Sequence, residues 1–205
     1  MAAKIAVLDY GIGNLHSAQK GLLHLGVDAK LTADESEIEA ADGVVLPGVG
    51  AFGATMAALE RTGLDSVAVK AAASGRPFLG ICVGMQVLYE RSEEAAGVDG
   101  LAILSGSVRR LPEGVKRPQM QWNQLEVTSK HPLLDGLDGE WFYFVHSYSA
   151  EPTDDVIGVT EYGGSVVAAA ACDNVWATQF HPEKSSKAGL QLVSNFVDQV
   201  VQRVA

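Results

Sequence analysis

The sequence predicts an α/β fold: a mostly parallel central sheet flanked by helices, with antiparallel strands added in the second half. Over residues 5–91, short apolar runs alternate with stretches of helical periodicity. Strands alternating with helices imply right-handed crossovers and parallel pairing. From Ser107 to Phe180, strand-like runs follow one another with little helical periodicity between them. Such a succession forms antiparallel ribbons. No repeat, low-complexity linker or composition shift divides the 205 residues. A single domain over 1–205 is therefore expected.

The elements follow in order. Ile5 to Leu8 is an uninterrupted apolar run, as expected of a strand buried on both faces. Asn14 is placed to cap a helix from Leu15 to Leu25, and Gly26 to end it. Asp28–Thr32 and Gly43–Leu46 read as two more strands, and Thr55–Arg61 and Leu64–Ala73 carry helical patterning. A strand from Pro77 to Ile81 runs into Cys82 and a helix from Val83 to Arg91. In the second half the strand-like runs are 107–110, 119–128, 141–145, 156–162, 165–172 and 174–179. The chain closes on an amphipathic helix, Ala188 to Val201, with Leu190, Val193, Phe196, Val197 and Val200 on one face.

Composition narrows the function. Hydrophobic residues make up 47% and charged residues 20%, as in a globular protein. A chain of this size buries roughly 70% of its unfolded surface, so no disulfide or metal staple is required. The formal charge of −10 argues against binding nucleic acid or anionic membrane, which reward clustered Lys and Arg. The longest apolar stretch, Val166 to Cys172, is far short of the ~20 residues of a membrane-spanning helix. The apolar start is broken at Asp9, too early for a signal peptide. The two cysteines, Cys82 and Cys172, form no CxxC pair and no metal spacing. A reducing, cytoplasmic setting is expected, with no cofactor.

Three segments carry chemistry. Gly80-Ile81-Cys82-Val83-Gly84 lies at a strand end and a helix start, the layout of a nucleophile elbow with cysteine in place of serine. Glycines on both sides leave room for the bend. The helix start favours a thiolate and offers N–H groups to a developing oxyanion. The competing reading is a buried, inert cysteine, which fits Cys172 better. His181-Pro182-Glu183 supplies a base. In an extended segment, residues two apart project to the same side, so Glu183 can orient one imidazole nitrogen while the other faces the thiol. His131 precedes Pro132-Leu133 and has no such carboxylate, and His16 and His24 sit at or near the first helix as surface residues. Pro47-Gly48-Val49-Gly50-Ala51-Phe52-Gly53 follows a strand, at the sheet end where α/β proteins bind ligands. It lacks the Lys and Ser/Thr of a phosphate loop, so its N–H groups better suit an oxyanion hole.

With these residues in hand, the chain resembles the triad glutamine amidotransferases, and among them the glutaminase subunits of imidazole glycerol phosphate synthase. The resemblance runs over essentially the whole length. Besides the three segments above, it rests on Asp9-Tyr10-Gly11-Ile12-Gly13-Asn14-Leu15, on Met85-Gln86 after the elbow, on Tyr143-Phe144-Val145-His146-Ser147-Tyr148 and on Lys184-Ser185.

The resemblance implies a flavodoxin-like sheet and a reaction. Cys82 would attack the side-chain amide of glutamine to form a thioester. His181 would move the protons, and Glu183 would orient it. The N–H of Val83 and one from Gly48-Val49-Gly50 would hold the oxyanion. Gln86, Glu94, Ser147 and Tyr148 would bind glutamine, with a carboxylate such as Glu94 suited to its α-ammonium. Ammonia would pass to a barrel-fold cyclase of histidine biosynthesis, across an interface drawing on Asn14, Trp122, Tyr143 and Lys184. Gln121, in Gln121-Trp122-Asn123, stands where the family usually has glycine, and a side chain there would alter either the local backbone or the partner contact. Two alternatives stay open at this level: the glutaminase subunit of another amidotransferase, such as pyridoxal phosphate synthase, and a non-catalytic flavodoxin-like binding module.

Overall fold

The computed structural model describes residues 2–12 and 15–204. The cap expected at Asn14 lies outside the described residues. The main sheet has eight strands. Five run parallel: β2 (Asp28–Thr32), β1 (Lys4–Leu8), β3 (Gly43–Gly48), β4 (Phe78–Cys82) and, late in the chain, β13 (Val175–Thr178). Three antiparallel strands extend it: β12 (Ser165–Cys172), β11 (Val156–Glu161) and β8 (Glu126–Val127). Every residue of β3 and β4 is buried, as the apolar runs require.

Helices connect the parallel strands: α1 (Leu15–His24), α2 (Glu35–Glu39), α3 (Phe52–Thr62) and α4 (Leu64–Ala73). The last helix, α6 (Ser186–Val204), contacts α1. α2 was missed in the sequence, although Asp34 caps it by accepting from the N–H groups of Ser36 and Glu37. Gly63 separates α3 from α4 at φ 72°, its N–H reaching the carbonyls of Leu59 and Glu60.

Three expectations are corrected. The helix expected over 83–91 is a single turn, α5 (Val83–Gln86), followed by a short strand β5 (Arg91–Ser92). The segment 100–104 folds back and captures the carbonyls that a longer helix would use. Gly100, Leu101, Ala102 and Ile103 donate to Glu90, Val87, Tyr89 and Leu88. The run 119–128 divides at buried Leu125 into β7 (Gln119–Gln124), paired with β9 (Trp141–His146), and β8, which joins the main sheet. β13 was expected in an antiparallel ribbon, yet it hairpins from β12 and lies parallel to β4. β6 (Ser107–Arg110) pairs with β5 and with β10 (Tyr148–Ala150), a strand the sequence reading missed.

The elbow depends on close backbone contact. A Cβ on Gly84 would stand 1.9 Å from the Leu46 carbonyl oxygen. Gly84→Ala is expected to cost about 1–3 kcal/mol or more through forced displacement of β3. Gly21, inside α1, meets nothing within 4 Å at that position, so Gly21→Ala is expected to stabilise by about 0.5–1 kcal/mol. Urea unfolding of both variants checks the contrast, and equal stabilities would refute the packing argument.

Candidate active site

Cys82 ends β4 with φ 56° and ψ −112°. A non-glycine residue at positive φ carries of order 1–3 kcal/mol of strain and persists only where its surroundings over-determine it. Here three glycines do so. Gly80 sits against Gly84 O, where a Cβ would approach to 2.9 Å, and a Cβ on Gly48 would come within 2.7 Å of Gly84 N. With Gly84 against Leu46, these contacts lock the turn and leave the Cys82 side chain at the carboxyl end of the sheet. The residue is 3% exposed.

Parallel pairing brings the other segments to it. Gly48 is in register with Cys82, and Thr178 with Ile81. The chain leaving β13 therefore passes Cys82 and arrives at His181. The Tyr143 carbonyl accepts from His181 N at 3.0 Å, while Ser185 Oγ donates to the His181 carbonyl at 2.6 Å. The segment after His181 was expected to be extended; instead Pro182–Lys184 form a 3₁₀ turn. That turn still delivers the carboxylate, with His181 Nδ1 2.8 Å from Glu183 Oε1. Nδ1–H donates, so Nε2 is left for the sulfur. The two side chains are only 2% and 6% exposed. Burial pulls the imidazole pKa down, but hydrogen bonds to Cys82 and Glu183 and their charges outweigh it, pushing the pKa up to about 9.

The glycine loop is anchored from the first strand's end. Tyr10 is buried and its hydroxyl donates to the Pro47 carbonyl at 2.6 Å. Burial holds that phenol well above its usual pKa, with the nearby Cys82 charge adding to it. Beyond buried Gly48, Val49 is half-buried and Gly50 is exposed at φ 103°. Glycine is required there for its backbone, since a Cβ would meet nothing.

Comparison with known proteins places this geometry. A family model for class-I glutamine amidotransferases matches residues 6–200. The chain belongs to that family. A protein of Methanothermobacter thermautotrophicus named imidazole glycerol phosphate synthase subunit HisH is 51% identical over 195 residues, covering 95% of this chain and 98% of the relative. One of the same name from Moorella thermoacetica is 48% identical over 94% of this chain and 93% of its own. Among solved structures, one titled glutamine amidotransferase aligns with TM-score 0.76 at 20% identity, over 96% of this chain and 98% of that one. PurLQS of Thermotoga maritima aligns with TM-score 0.75 at 17% identity over the whole of both chains. These two share the fold.

In this amidotransferase the remaining candidates fall into two groups. Gln86, on α5, is buried, and its Nε2 donates to the carbonyl of Tyr148 at 2.9 Å. Ser147, just before it, accepts from Leu111 N at 3.0 Å through its carbonyl. Glu94 lies beyond the elbow helix, where Oε2 accepts from Phe52 N at 2.7 Å at the start of α3. It therefore sits beside the glycine loop. Gln179 and His146 were missed in the sequence. Gln179 is wholly buried between Gln86 and Cys82, and His146 bonds the same Tyr148 carbonyl at 2.8 Å. Burial, with the His181 charge nearby, lowers the His146 pKa to about 4 against the pull of that carbonyl.

The second group lies on the β7–β9 ribbon. Trp122 pairs with Tyr143 in register, their ring centroids 6.2 Å apart, and Lys184 Nζ stands 5.9 Å from the Tyr143 ring. Met120, Trp122 and Trp141 are 61%, 44% and 52% exposed. The register runs unbroken through Gln121, whose amide donates to Asn123 Oδ1 at 2.6 Å. A side chain at 121 thus leaves the strand undistorted. Asn14 lies outside the described residues. His131 sits apart, capping the 3₁₀ turn Pro132–Leu134 and packing edge-on to Trp176. Cys172, read as core in the sequence, is only partly buried at the end of β12.

The raised His181 pKa has a stability consequence. Protonation is favoured in the folded state, so this stabilisation is full below the unfolded value of 6.5 and is lost as pH rises through about 9. Thermal melts between pH 6 and 10 should show that decline in the wild-type protein and lose it in His181→Ala. Parallel profiles would refute it.

Proposed function

We propose that this chain hydrolyses glutamine through a Cys82 thioester and delivers the ammonia to a barrel-fold cyclase in the cytoplasm. There the ammonia would serve to make imidazole glycerol phosphate and an aminoimidazole carboxamide ribotide in histidine biosynthesis. The observation that carries the reading is the strained elbow at Cys82 facing a His181–Glu183 pair, in a chain about half identical to proteins named HisH. In the first step Nε2 of His181 takes the thiol proton as the Cys82 sulfur attacks the amide carbon, and the negative oxygen forms within reach of the Val83 N–H and the 48–50 loop. Collapse breaks the C–N bond, with Nε2 of His181 giving its proton to the departing ammonia. His181 then takes a proton from water, which attacks the thioester and releases glutamate and the thiol. Glu183 holds the imidazole tautomer throughout.

Substrate and partner contacts follow. Gln86, Glu94 and the Ser147-Tyr148 peptide bind glutamine, and the free carboxylate oxygen of Glu94 suits the α-ammonium. Trp122, Tyr143 and Lys184, with Gln121 and Asn123 beside them on the ribbon, meet the cyclase, and so does Asn14. The exposed aromatic surface of the ribbon supports this, since interfaces are enriched in Trp, Tyr and Met. A largely acidic chain with no described helix long and apolar enough to cross a membrane fits a metabolic partner better than nucleic acid or lipid.

Cys82→Ser should lower glutamate release by about 10³-fold or more in a folded protein, because a hydroxyl ionises far less readily than a thiol. Cys172→Ser and His131→Ala should leave turnover intact. His181→Ala should lose about 10²–10⁴-fold, more than Glu183→Gln, since the histidine itself transfers protons. A folded Cys82→Ser protein with substantial activity would overturn the mechanism.

The isolated chain should be a poor glutaminase, stimulated by the cyclase and further by the cyclase with its nucleotide ligand. Losing one oxyanion donor costs about 10²–10³ in rate, so turning one peptide of the 48–50 loop suffices as a switch. Glutamate release measured for the chain alone, with cyclase, and with liganded cyclase decides it. Equal rates remove the switch, and full stimulation of Gly50→Pro moves it away from this loop.

A further inference from the structure

We propose that Gln179 is a positioning residue that holds the Cys82 sulfur in its thiolate form, its amide oriented through Gln86 by the carbonyl of Tyr148. The inference rests on the reading of Cys82 as the attacking group. It assigns that group a partner outside the Cys-His-Glu set.

Gln179 stands one residue past β13, where the parallel register sets it beside the end of β4. It has no exposed surface. Its backbone N–H donates to the Ala168 carbonyl at 2.8 Å, tying the position to β12. Its side chain bridges two groups: Gln86 Nε2 lies 3.0 Å from its Oε1, and its Nε2 lies 3.9 Å from Cys82 Sγ.

An amide can in principle be turned end for end, exchanging donor and acceptor. Here it cannot without loss. The Tyr148 carbonyl can only accept, so the amide nitrogen of Gln86 must face it. That same nitrogen is the atom nearest Gln179, and two NH₂ groups cannot bond each other. Gln179 must therefore turn its oxygen to Gln86 and its NH₂ to the sulfur. His146 donates from Nδ1 to the same carbonyl and, held neutral by burial, leaves the order of the chain unchanged. Cys82 thus always meets an N–H from this side and never a lone pair.

At 3.9 Å the contact is long, and a neutral thiol gains little from it. A thiolate gains more, because a full charge faces the positive end of an amide dipole in a buried site. The titratable groups around the sulfur are His181 from the turn after β13 and Tyr10 from the end of β1. Glu183 and His146 act on it through His181. None of these is altered by a change at Gln179.

The test is the pH dependence of Cys82 alkylation by iodoacetamide, followed by intact mass in a Cys172→Ser background. Two variants remove the donor: Gln179→Met, apolar and of similar length, and Gln179→Glu, which keeps an acceptor for Gln86. Both should move the alkylation midpoint to higher pH. The rate at pH 7 should fall about tenfold for Glu, the equivalent of one pH unit, and less for Met. Gln86→Met should shift it in the same direction by releasing the orientation of Gln179, with no glutamine present. A wild-type alkylation profile in folded Gln179→Met and Gln179→Glu proteins would overturn the proposal. Should neither fold, an unchanged profile in Gln86→Met would overturn it, and a shifted one would support it. Alkylation requires neither glutamine nor partner, so an inert Cys82 in turnover assays would sink the proposed function while leaving this result to stand or fall by itself.

Discussion

Everything at the carboxyl end of the sheet depends on how closely the turn after β4 approaches β3. Gly84 lies against the Leu46 carbonyl and Gly48 against Gly84 N, at distances that admit no Cβ. This contact forces the chain to reverse within one residue, and that residue is Cys82 at φ 56°. The strain of order 1–3 kcal/mol is a sizeable fraction of a typical 5–15 kcal/mol stability. It is held by strands that are buried throughout, Gly43–Gly48 and Phe78–Cys82.

The sheet then acts as a ruler. Register places Gly48, Cys82 and the residues after Thr178 side by side, although nearly a hundred residues separate Cys82 from His181. The price is a set of polar groups taken out of water, bonded to one another except at Glu183 Oε2 and His146 Nε2, which have no partner among the described residues. The two buried histidines show how local the outcome is. His181, between a carboxylate and a sulfur, is pushed up to about 9, whereas His146, bonded to a carbonyl, falls to about 4. Burial alone lowers both. The difference is whether an anion stands at hydrogen-bond distance.

Much of this was legible in the sequence because its signals are local. The apolar runs 5–8 and 43–46 needed no partner to be recognised, and Gly80-Ile81-Cys82-Val83-Gly84 states its own geometry. What escaped reading depends on residues distant in the chain. The helix after Cys82 goes no further than Gln86 because Gly100 to Leu104 arrive to take the carbonyls of Val87 to Glu90. The run 119–128 breaks because β9 and β11 claim its two halves. Glu94 accepts from the N–H of Phe52, 42 residues earlier, at the start of α3. Gln179 has the letters of any strand residue, and only its position between Gln86 and Cys82 gives it a role. His131, excluded for lack of a carboxylate, turns out to cap a turn.

The exposed ribbon and the buried base share one peptide. On β9, Phe142 and Phe144 are buried and pack with Phe180, while Trp141 on the outer face is open. Tyr143 stands between these environments. Its N–H donates to Ser185 Oγ at 3.0 Å, and its carbonyl accepts from His181 N at 3.0 Å. Ser185 in turn donates to the His181 carbonyl at 2.6 Å. The Trp122–Tyr143 pair is therefore carried on a strand bonded at both the N–H and the carbonyl of Tyr143 to the turn that carries the base. The thiol and its base are thus held independently: Cys82 by the glycine contacts between its turn and β3, His181 by the Tyr143 carbonyl and the Ser185 hydroxyl.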